Sequence, residues 1–297
     1  MNRHIARCPV CEGESFKPIR AATFSGHWRD AIPFFLTNRV KAVNGRILRC
    51  ECCGFVLTSP QFAVEDYGRI YAAVHQATAG QPPRPGATTR FAALAERVRR
   101  RETKPGHFLD FGCGRGEFLD CMTGFDGIGL EISAGEATRQ GRILSCDILT
   151  AQVEELAPAS YDFIVAWDVL EHLSDPVAYL RRLNQLLKPG GRLYLTAPNQ
   201  DSWVARLTGG RWNLLLLEHL WYFAPGTVTR FLKQCGFVTE EVSSIGFPVD
   251  LATLGLRIGQ TYGAWFPPMP RWLGRIVVNL PIGLMFVVAR KQSVVEP

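Results

Sequence analysis

Three glycines at alternate positions, Gly112, Gly114 and Gly116, follow a short apolar run. Glycine allows the backbone to turn sharply and to approach a ligand closely, because it has no side chain in the way. The acidic residue Glu131 ends the next apolar run, nineteen residues after Gly112. A carboxylate in that place can accept hydrogen bonds from ribose hydroxyls. The pattern therefore predicts a site for a nucleoside-shaped ligand.

The charge beside this glycine loop narrows the ligand. Glu117 stands where the dinucleotide-binding pattern Gly-x-Gly-x-x-Gly has its third glycine. A carboxylate there would repel a pyrophosphate, but it would attract a cationic ligand such as the sulfonium and amino groups of S-adenosylmethionine. The sequence therefore favours S-adenosylmethionine over a nicotinamide dinucleotide.

From about residue 88 to 240 the chain resembles the class I S-adenosylmethionine-dependent methyltransferases, with their motifs in the expected order. The resemblance rests on the glycine loop, on the acid after it, on Asp147, and on segments 161–173, 187–191 and 196–199. It implies S-adenosylmethionine as the cofactor. The cofactor contacts that it implies come from Asp110, Gly112, Cys113, Gly114, Gly116, Glu131, Ile132, Asp147, Ile148, Trp167 and Asp168.

These positions follow the ends of predicted strands, and open parallel sheets bind ligands at the carboxyl ends of their strands. Asp110 is expected to orient the loop by hydrogen bonding rather than to touch the substrate. Trp167 and Asp168 end the fourth strand of the methyltransferase segment, where they are expected to contact the cofactor or the substrate. For Trp167 the alternative is packing over the adenine edge.

Two histidines are candidates for the chemical step. Methyl transfer from a sulfonium is an in-line displacement that depends on alignment, and a base is needed only if the acceptor must lose a proton. His172 follows the fourth strand near the expected donor methyl, and Glu171 either orients it or faces solvent. The alternative for His172 is a hydrogen bond to the neighbouring loop without a catalytic role. His219 is the second candidate, in an aromatic segment that forms either an acceptor wall or helix core.

The absence of two sequence motifs narrows the class of acceptor. After the fourth strand there is no Asn or Asp followed by Pro-Pro and an aromatic residue, which argues against methylation of exocyclic base nitrogens. There is no Pro-Cys nucleophile there either, which argues against methylation of pyrimidine carbon 5. We therefore expect methyl transfer to an oxygen or carbon of a small-molecule, sugar or lipid-linked acceptor. The alternative is a zinc-ribbon RNA-binding protein or RNA methyltransferase.

The first sixty residues contain two cysteine pairs, Cys8 with Cys11 and Cys50 with Cys53. A Cys-x-x-Cys turn presents two sulfurs to one ion, and zinc takes four sulfur or nitrogen ligands. The pairs predict a structural zinc site that leaves Cys52 out; the alternative is four free buried thiols. This double pair beside a methyltransferase also resembles the deoxysugar C-methyltransferases. The segment lacks the interleaved basic and aromatic residues of a nucleic-acid surface, which disfavours nucleic acid as a partner.

Short apolar runs alternate with helical segments after residue 106, and such alternation predicts a parallel sheet covered by helices. With the resemblance, the expected fold is an α/β, Rossmann-like, doubly wound, mostly parallel seven-stranded sheet with an antiparallel edge strand, plus a small N-terminal zinc ribbon. The predicted strands are 107–111, 126–130, 143–146, 162–167, 192–197 and a final one at the sheet edge, 284–289. The predicted helices are 116–123, 133–140 and 176–188, the last one capped by Asp175.

Three parts are expected along the chain. A zinc-ribbon-like domain covers 1–60, and a linker with a helical lid covers 61–105. The methyltransferase domain covers 106–297, with an acceptor-binding insertion near 200–224 and an apolar C-terminal segment at 245–290.

Composition adds weaker expectations about location and partners. The N-terminus has no apolar signal segment, which favours a cytoplasmic protein. The uncharged stretch 276–289 holds fourteen residues, fewer than the about 20 that a membrane span needs. Aromatic and basic residues at 265–272 keep peripheral membrane contact through 260–290 open. The net charge of +6 is spread along the chain and selects no partner, and the oligomeric state stays open.

Overall fold

A computed structural model describes residues 1–36, 43–78, 87–132, 142–251 and 276–292, with Gly255 and Gly274. The strands, in chain order, are β1 (Phe16–Arg20), β2 (Ile47–Cys50), β3 (Val56–Thr58), β4 (His107–Phe111), β5 (Asp126–Leu130), β6 (Ile143–Leu144), β7 (Tyr161–Trp167), β8 (Leu187–Pro198), β9 (Trp221–Tyr222), β10 (Phe237–Asp250) and β11 (Val277–Lys291). The helices are α1 (Trp28–Leu36), α2 (Val64–Thr78), α3 (Ala87–Arg99), α4 (Glu117–Cys121), α5 (Pro176–Leu186), α6 (Trp203–Thr208) and α7 (Pro225–Gln234).

The larger of two sheets in the described residues has seven strands in the order β10-β11-β8-β7-β4-β5-β6. Strands β4 to β8 pair in parallel, and β11 runs antiparallel between β8 and β10. The predicted fold class is therefore confirmed. The final strand was expected at the edge over 284–289. The strand, β11, is longer than expected, and it is the second strand of the sheet rather than the edge strand. The edge strand is β10, which pairs with β11 on the side away from β8.

The predicted strand positions hold, but two helices end earlier than expected. Helix α5 stops at Leu186, because residues 187–191 already belong to β8, which pairs with β7. Its predicted cap is present, with the Ala178 N–H donating to Asp175 Oδ1 over 3.1 Å. Helix α4 covers five residues instead of eight, and the predicted helix at 133–140 lies outside the described residues.

Helices α3 and α4 cover one face of the sheet beside the glycine loop. Leu94, Ala95 and Val98 of α3 are fully buried, in one apolar cluster with Phe118 of α4 and Phe286 of β11. The apolar face of α3, which lies in the segment expected to be a lid, is therefore part of the core of the sheet. This packing fixes α3 next to the ends of β4 and β7.

The smaller sheet has four antiparallel strands in the order β1-β2-β3-β9. Three strands come from the N-terminal segment, and β9 comes from the segment expected to bind the acceptor. The N-terminal sheet and that segment are therefore built as one unit. Among the described residues, no helix is both long and apolar enough to span a bilayer.

Candidate functional site

The glycine loop after β4 folds back onto the end of β5. Gly112, Gly114 and Gly116 all have positive φ, at 73°, 54° and 78°. The Gly112 N–H donates to the Leu130 carbonyl over 2.8 Å. A Cβ at Gly112 would lie 2.5 Å from Val169 Cγ2, whereas a Cβ at Gly114 would meet nothing within 4 Å. Gly112 is thus needed for packing, and Gly114 borders the open space that a ligand can enter.

Glu131 is tied directly to this loop, since its Oε2 accepts the Gly114 N–H over 3.0 Å. The apolar side chain of Ile132 next to it is 47% exposed, while Ile148 is buried. Asp147, at the end of the neighbouring strand, accepts the Leu149 N–H over 2.9 Å and the Tyr179 hydroxyl over 3.1 Å. Carboxylates and an exposed apolar side chain therefore line the ends of β5 and β6.

Asp110 is buried at the end of β4, and its Oδ2 has no hydrogen-bond partner among the described residues. Burial, with the nearby carboxylates of Glu131 and Glu117, raises the pKa of Asp110 well above its ordinary value. A buried carboxylate without a partner is costly, and a cation or donor placed against it would lower that cost. The side chain expected to orient the loop thus has an oxygen free for a ligand.

Cys113 and Trp167 support the site from within. Cys113 is buried, and a Cβ on Gly129 would come within 2.6 Å of its sulfur, so the glycine makes room for it. The Trp167 ring lies between Phe118 and Phe286, with centroids 5.1 Å and 6.1 Å away. The structure therefore places both side chains in the apolar packing behind the loop.

Asp168 has a positive φ of 54° and is held from two sides. Its Oδ1 accepts the Thr196 hydroxyl over 2.6 Å, and its Oδ2 pairs with the Arg90 guanidinium of α3. Burial opposes ionisation, but the charge of Arg90 and these hydrogen bonds hold the pKa of Asp168 below its ordinary value. Arg90 therefore fastens the lid helix to the end of β7.

Glu171, His172 and His219 come together beyond the end of β7. Each offers a ligand atom, and these atoms lie within 4.8 Å of one another. The rings of His172 and His219 are 4.9 Å apart and nearly perpendicular. Their Nδ1 atoms lie 3.0 Å from the Glu218 carbonyl and 2.8 Å from the Leu214 carbonyl. Since a carbonyl only accepts, each Nδ1 donates, and in a neutral imidazole Nε2 is then the acceptor.

The environments of these three groups differ. Glu171 is buried rather than facing solvent, and burial and the charge of Asp168 raise its pKa well above the ordinary value. Burial and the neighbouring His172 lower the pKa of His219 to about 3, so this imidazole is neutral at neutral pH. His172 is only partly buried. The Glu218 carbonyl orients His172, which neither of the two alternatives for Glu171 had foreseen.

This cluster can do one of two things. A neutral His172 with a free Nε2 can take a proton from an acceptor hydroxyl. Alternatively, two imidazoles and a carboxylate can hold a divalent cation that polarises the hydroxyl.

Most of the aromatic side chains of the following segment are core. Trp212, Trp221 and Tyr222 are buried, whereas Trp203 is 59% exposed. The Trp221 Nε1–H donates to the Leu173 carbonyl over 2.6 Å, close to the His172 turn. Of the two alternatives for this segment, packing accounts for three of the four rings.

The four predicted cysteine ligands meet at one point. The sulfurs of Cys8, Cys11, Cys50 and Cys53 lie within 4.8 Å of one another. The Cys8–Cys53 and Cys11–Cys50 sulfurs are 3.5 Å and 3.6 Å apart, near the about 3.8 Å expected for sulfurs at about 2.3 Å from a tetrahedral zinc. The four thiols therefore fit a zinc ion.

Three side chains that hold the carboxylates of the site were not identified from the sequence: Arg90, Tyr179 and Thr196. Arg90 is one of several arginines on its helix, and Tyr179 lies on the buried face of α5, so neither has a distinguishing pattern. Thr196 lies inside a motif of the resemblance, and its place at the end of β8 next to β7 was the available signal.

Comparison with protein families gives one match that spans most of the site. A family model described as "Methyltransferase domain" matches residues 87–242. The chain is similar to the ubiquinone biosynthesis O-methyltransferase of Thiobacillus denitrificans, with 26% identity over 156 residues, 47% of this chain and 67% of that protein. It is similar to the enzyme of that name from Xanthomonas euvesicatoria pv. vesicatoria, with 28% identity over 166 residues, 49% of this chain and 68% of that protein.

Solved structures share the fold at low identity. A 1,6-didemethyltoxoflavin-N1-methyltransferase from Burkholderia thailandensis, solved with 1,6-didemethyltoxoflavin and S-adenosylhomocysteine, aligns with a TM-score of 0.50 and 16% identity, over 80% of this chain and 96% of that one. The [4+2]-cyclase SpnF aligns with a TM-score of 0.51 and 19% identity, over 78% and 97%. A methyltransferase and a cyclase thus share this architecture, so the fold alone does not determine the reaction.

Proposed function

Because the chain belongs to the methyltransferase-domain family and is an S-adenosylmethionine-dependent methyltransferase, we propose that it methylates a hydroxyl oxygen of a small-molecule acceptor. One juxtaposition carries the proposal. The open glycine loop with the unpartnered Asp110 Oδ2 ends β4, and the cluster of Glu171, His172 and His219 follows β7, the strand that pairs with β4. The glycine loop proposed to hold the donor therefore lies beside groups that can activate an acceptor.

The residues around the loop fit S-adenosylmethionine. When bound, this cofactor supplies a methyl group on a positively charged sulfonium. Asp110 Oδ2 would accept from its ammonium group, Glu131 would accept from the ribose hydroxyls, and Ile132 would cover the adenine with Asp147 at its edge. The backbone at Gly114 is open, because a Cβ there would meet no atom within 4 Å, and the ligand would approach it most closely at this point. Cys113 and Trp167 would support these contacts from behind.

On the acceptor side, His172 would remove the hydroxyl proton through Nε2. The Glu218 carbonyl fixes the ring by accepting from Nδ1. The buried side chains of Glu171 and His219 would line the acceptor and keep water away. A hydroxyl acceptor is supported by the names of the relatives, which are O-methyltransferases, and sugar or lipid-linked hydroxyls belong to the same chemical class.

The N-terminal cysteines have a separate, structural role in this proposal. Four thiolates would complete a tetrahedral zinc site and leave no position open for substrate. The sulfur spacing supports a zinc ion between the Cys8–Cys11 and Cys50–Cys53 pairs.

The direct test is methyl transfer from labelled S-adenosylmethionine to a panel of phenols, catechols, sugars and RNA. We expect label in one class of hydroxyl compound, loss of transfer in Gly114→Arg, and unchanged transfer in Glu154→Ala, an exposed glutamate away from the loop. Assays of zinc-loaded protein with and without added Mg²⁺ separate a base from a cation at the histidine cluster, because only a cation site should respond to Mg²⁺. Label in RNA alone, or no transfer from a folded wild-type protein to any acceptor, would refute the proposed acceptor class.

A further inference from the structure

The N-terminal sheet is completed by a strand from the acceptor side of the methyltransferase domain. Strand β9 pairs with β3, so that Val56 lies opposite Tyr222 and Leu57 lies opposite Trp221. His219 is only two residues before this strand. The backbone that carries the histidine is therefore an extension of the N-terminal sheet.

Thr58, the last residue of β3, makes two hydrogen bonds to consecutive carbonyls of this segment. Its Oγ1–H donates to the His219 carbonyl over 3.0 Å, and its N–H donates to the Leu220 carbonyl over 2.9 Å. Thr58 is fully buried, and its own carbonyl accepts the Gln61 Nε2–H over 3.1 Å. A fully buried residue with both bonds in place holds the peptide between His219 and Leu220 in one orientation.

The same peptide is bonded on its other side to the His172 turn. The Leu220 N–H donates to the Glu171 carbonyl over 2.8 Å, and the Glu218 carbonyl accepts from His172 Nδ1 over 3.0 Å. Thr58, the 218–220 segment and the 171–172 turn therefore form a continuous chain of hydrogen bonds. Each link connects residues that are far apart in sequence.

Further contacts join the N-terminal segment to the same turn. Arg3 donates to the Ser174 carbonyl over 2.7 Å. The ring of Phe55, three residues before Thr58, packs against Trp221 and Phe223 at 6.2 Å and 5.2 Å. The Cys50 N–H donates to the Phe55 carbonyl, so the second cysteine pair leads directly into β3. The cysteine cluster and the acceptor site are thus linked through about nine residues of chain.

We propose that the N-terminal ribbon is a positioning element of the methyl-transfer site, and that Thr58 is the positioning residue through which it sets His219 and His172. The inference rests on the proposed function of the histidine cluster. Thr58 touches neither donor nor acceptor. It acts by fixing the backbone of His219 and Leu220, which directly follows the Glu218 carbonyl that accepts from His172 Nδ1. Sub-ångström placement matters for the reaction, since a misplacement of about 1 Å can reduce a rate by about 100-fold.

The test compares Thr58→Val with Thr58→Ser. Valine keeps the β-branched shape and the backbone N–H but removes the hydroxyl bond to His219. We expect Thr58→Val to lower kcat by about tenfold, to shift the acid limb of the pH dependence of kcat, and to leave the dissociation constant of S-adenosylhomocysteine within twofold. Thr58→Ser, which keeps the hydroxyl, should restore most of kcat and the wild-type pH profile.

Thr23→Val is the matched control. The Thr23 hydroxyl bonds to Asn44 inside the N-terminal segment and does not reach the acceptor side. It should lower the melting temperature without moving the pH profile. A folded Thr58→Val with wild-type kcat and pH profile would overturn the inference, as would an effect that merely follows melting temperature in both variants. Wild-type protein that binds no S-adenosylhomocysteine would instead refute the proposed function.

Discussion

The donor half of the site is built from one short stretch of chain, whereas the acceptor half is assembled from three distant ones. On the donor side, the bond from Gly114 to Glu131 spans seventeen residues. On the acceptor side, the bond from Thr58 to His219 spans 161 residues, and the bond from His172 to Glu218 spans 46. Donor binding should therefore be a local property of the β4–β5 region, and acceptor chemistry should depend on the whole assembly.

The strongest way to break this contrast is to remove the proposed zinc. We expect one zinc per chain by mass spectrometry, lost in Cys11→Ser and kept in Cys52→Ser. Structural zinc contributes on the order of 10 kcal/mol in zinc-finger peptides, so the N-terminal sheet should lose its order in Cys11→Ser. Methyl transfer should fall to background while S-adenosylhomocysteine still binds. Loss of donor binding in a protein with an intact melting transition would show that the two halves are not separate.

His172→Ala tests the acceptor half alone. Loss of a general base lowers rates by about 10²–10⁴-fold, and we expect a decrease of that size in kcat. Single-turnover measurement with saturating donor reports it directly. His107→Ala is the control, because this partly buried histidine stacks on Tyr161 at the opposite end of the strands. If the rate of His172→Ala stayed within threefold of wild type, His172 would not be the base, and its role would be the hydrogen bond to the neighbouring loop.

Disrupting the ion pair between Arg90 and Asp168 tests whether this pair fastens the lid helix to the end of β7. Both side chains are about a quarter exposed, at 26% and 29%, so solvent screening weakens their electrostatic attraction. We expect Arg90→Leu to lower the unfolding free energy by about 1–2 kcal/mol at pH 7. The folded pKa of Asp168 is lowered, so this stabilisation is present above the unfolded pKa and is lost as the pH falls through the folded one. Urea unfolding should therefore show the difference shrinking below about pH 4.

Arg100→Leu is the matched control, because Arg100 pairs with Glu96 on the same helix with side chains 73% and 57% exposed. It should change the unfolding free energy by less than about 0.5 kcal/mol at either pH. If the Arg90 variant behaved in the same way, the lid would not be fastened through Asp168.

The smallest effect is expected from Tyr179→Phe. The variant removes the hydroxyl that donates to Asp147 Oδ2, a bond worth about 1 kcal/mol. The dissociation constant of S-adenosylhomocysteine should rise by roughly fivefold, and kcat at saturating donor should stay the same. Tyr161→Phe, whose hydroxyl bonds to the Glu155 carbonyl instead, should leave donor binding unchanged.

The donor half could be predicted because its residues are neighbours in sequence. A glycine loop and an acid nineteen residues later carry their geometry in their spacing, and strand ends follow from apolar periodicity. The Cys-x-x-Cys spacing likewise predicted that the four cysteines come together. The surroundings of individual side chains were harder to predict. An indole ring suits an apolar core as well as the face of an adenine, so only the packing in the structure shows which of these surroundings Trp167 has.

The acceptor half could not be predicted in the same way. Strand β9 has two residues and β3 has three, too few for a periodic pattern. Backbone pairing between Thr58 and residues 219–220 depends on no particular side chain in the later segment, so the later sequence carries no trace of it. The final strand was placed at the edge for a similar reason, since β10 was not recognised as a partner for β11.

The most direct test of the account is calorimetric titration of S-adenosylhomocysteine into wild-type, Glu131→Ala and His172→Ala protein. Glu131→Ala removes hydrogen bonds to a charged acceptor, each worth about 1.5–3 kcal/mol, so its dissociation constant should rise by about 100-fold, while His172→Ala should stay within about twofold of wild type. Equal affinities in all three proteins, or a loss confined to His172→Ala, would contradict a donor site at the ends of β4 and β5.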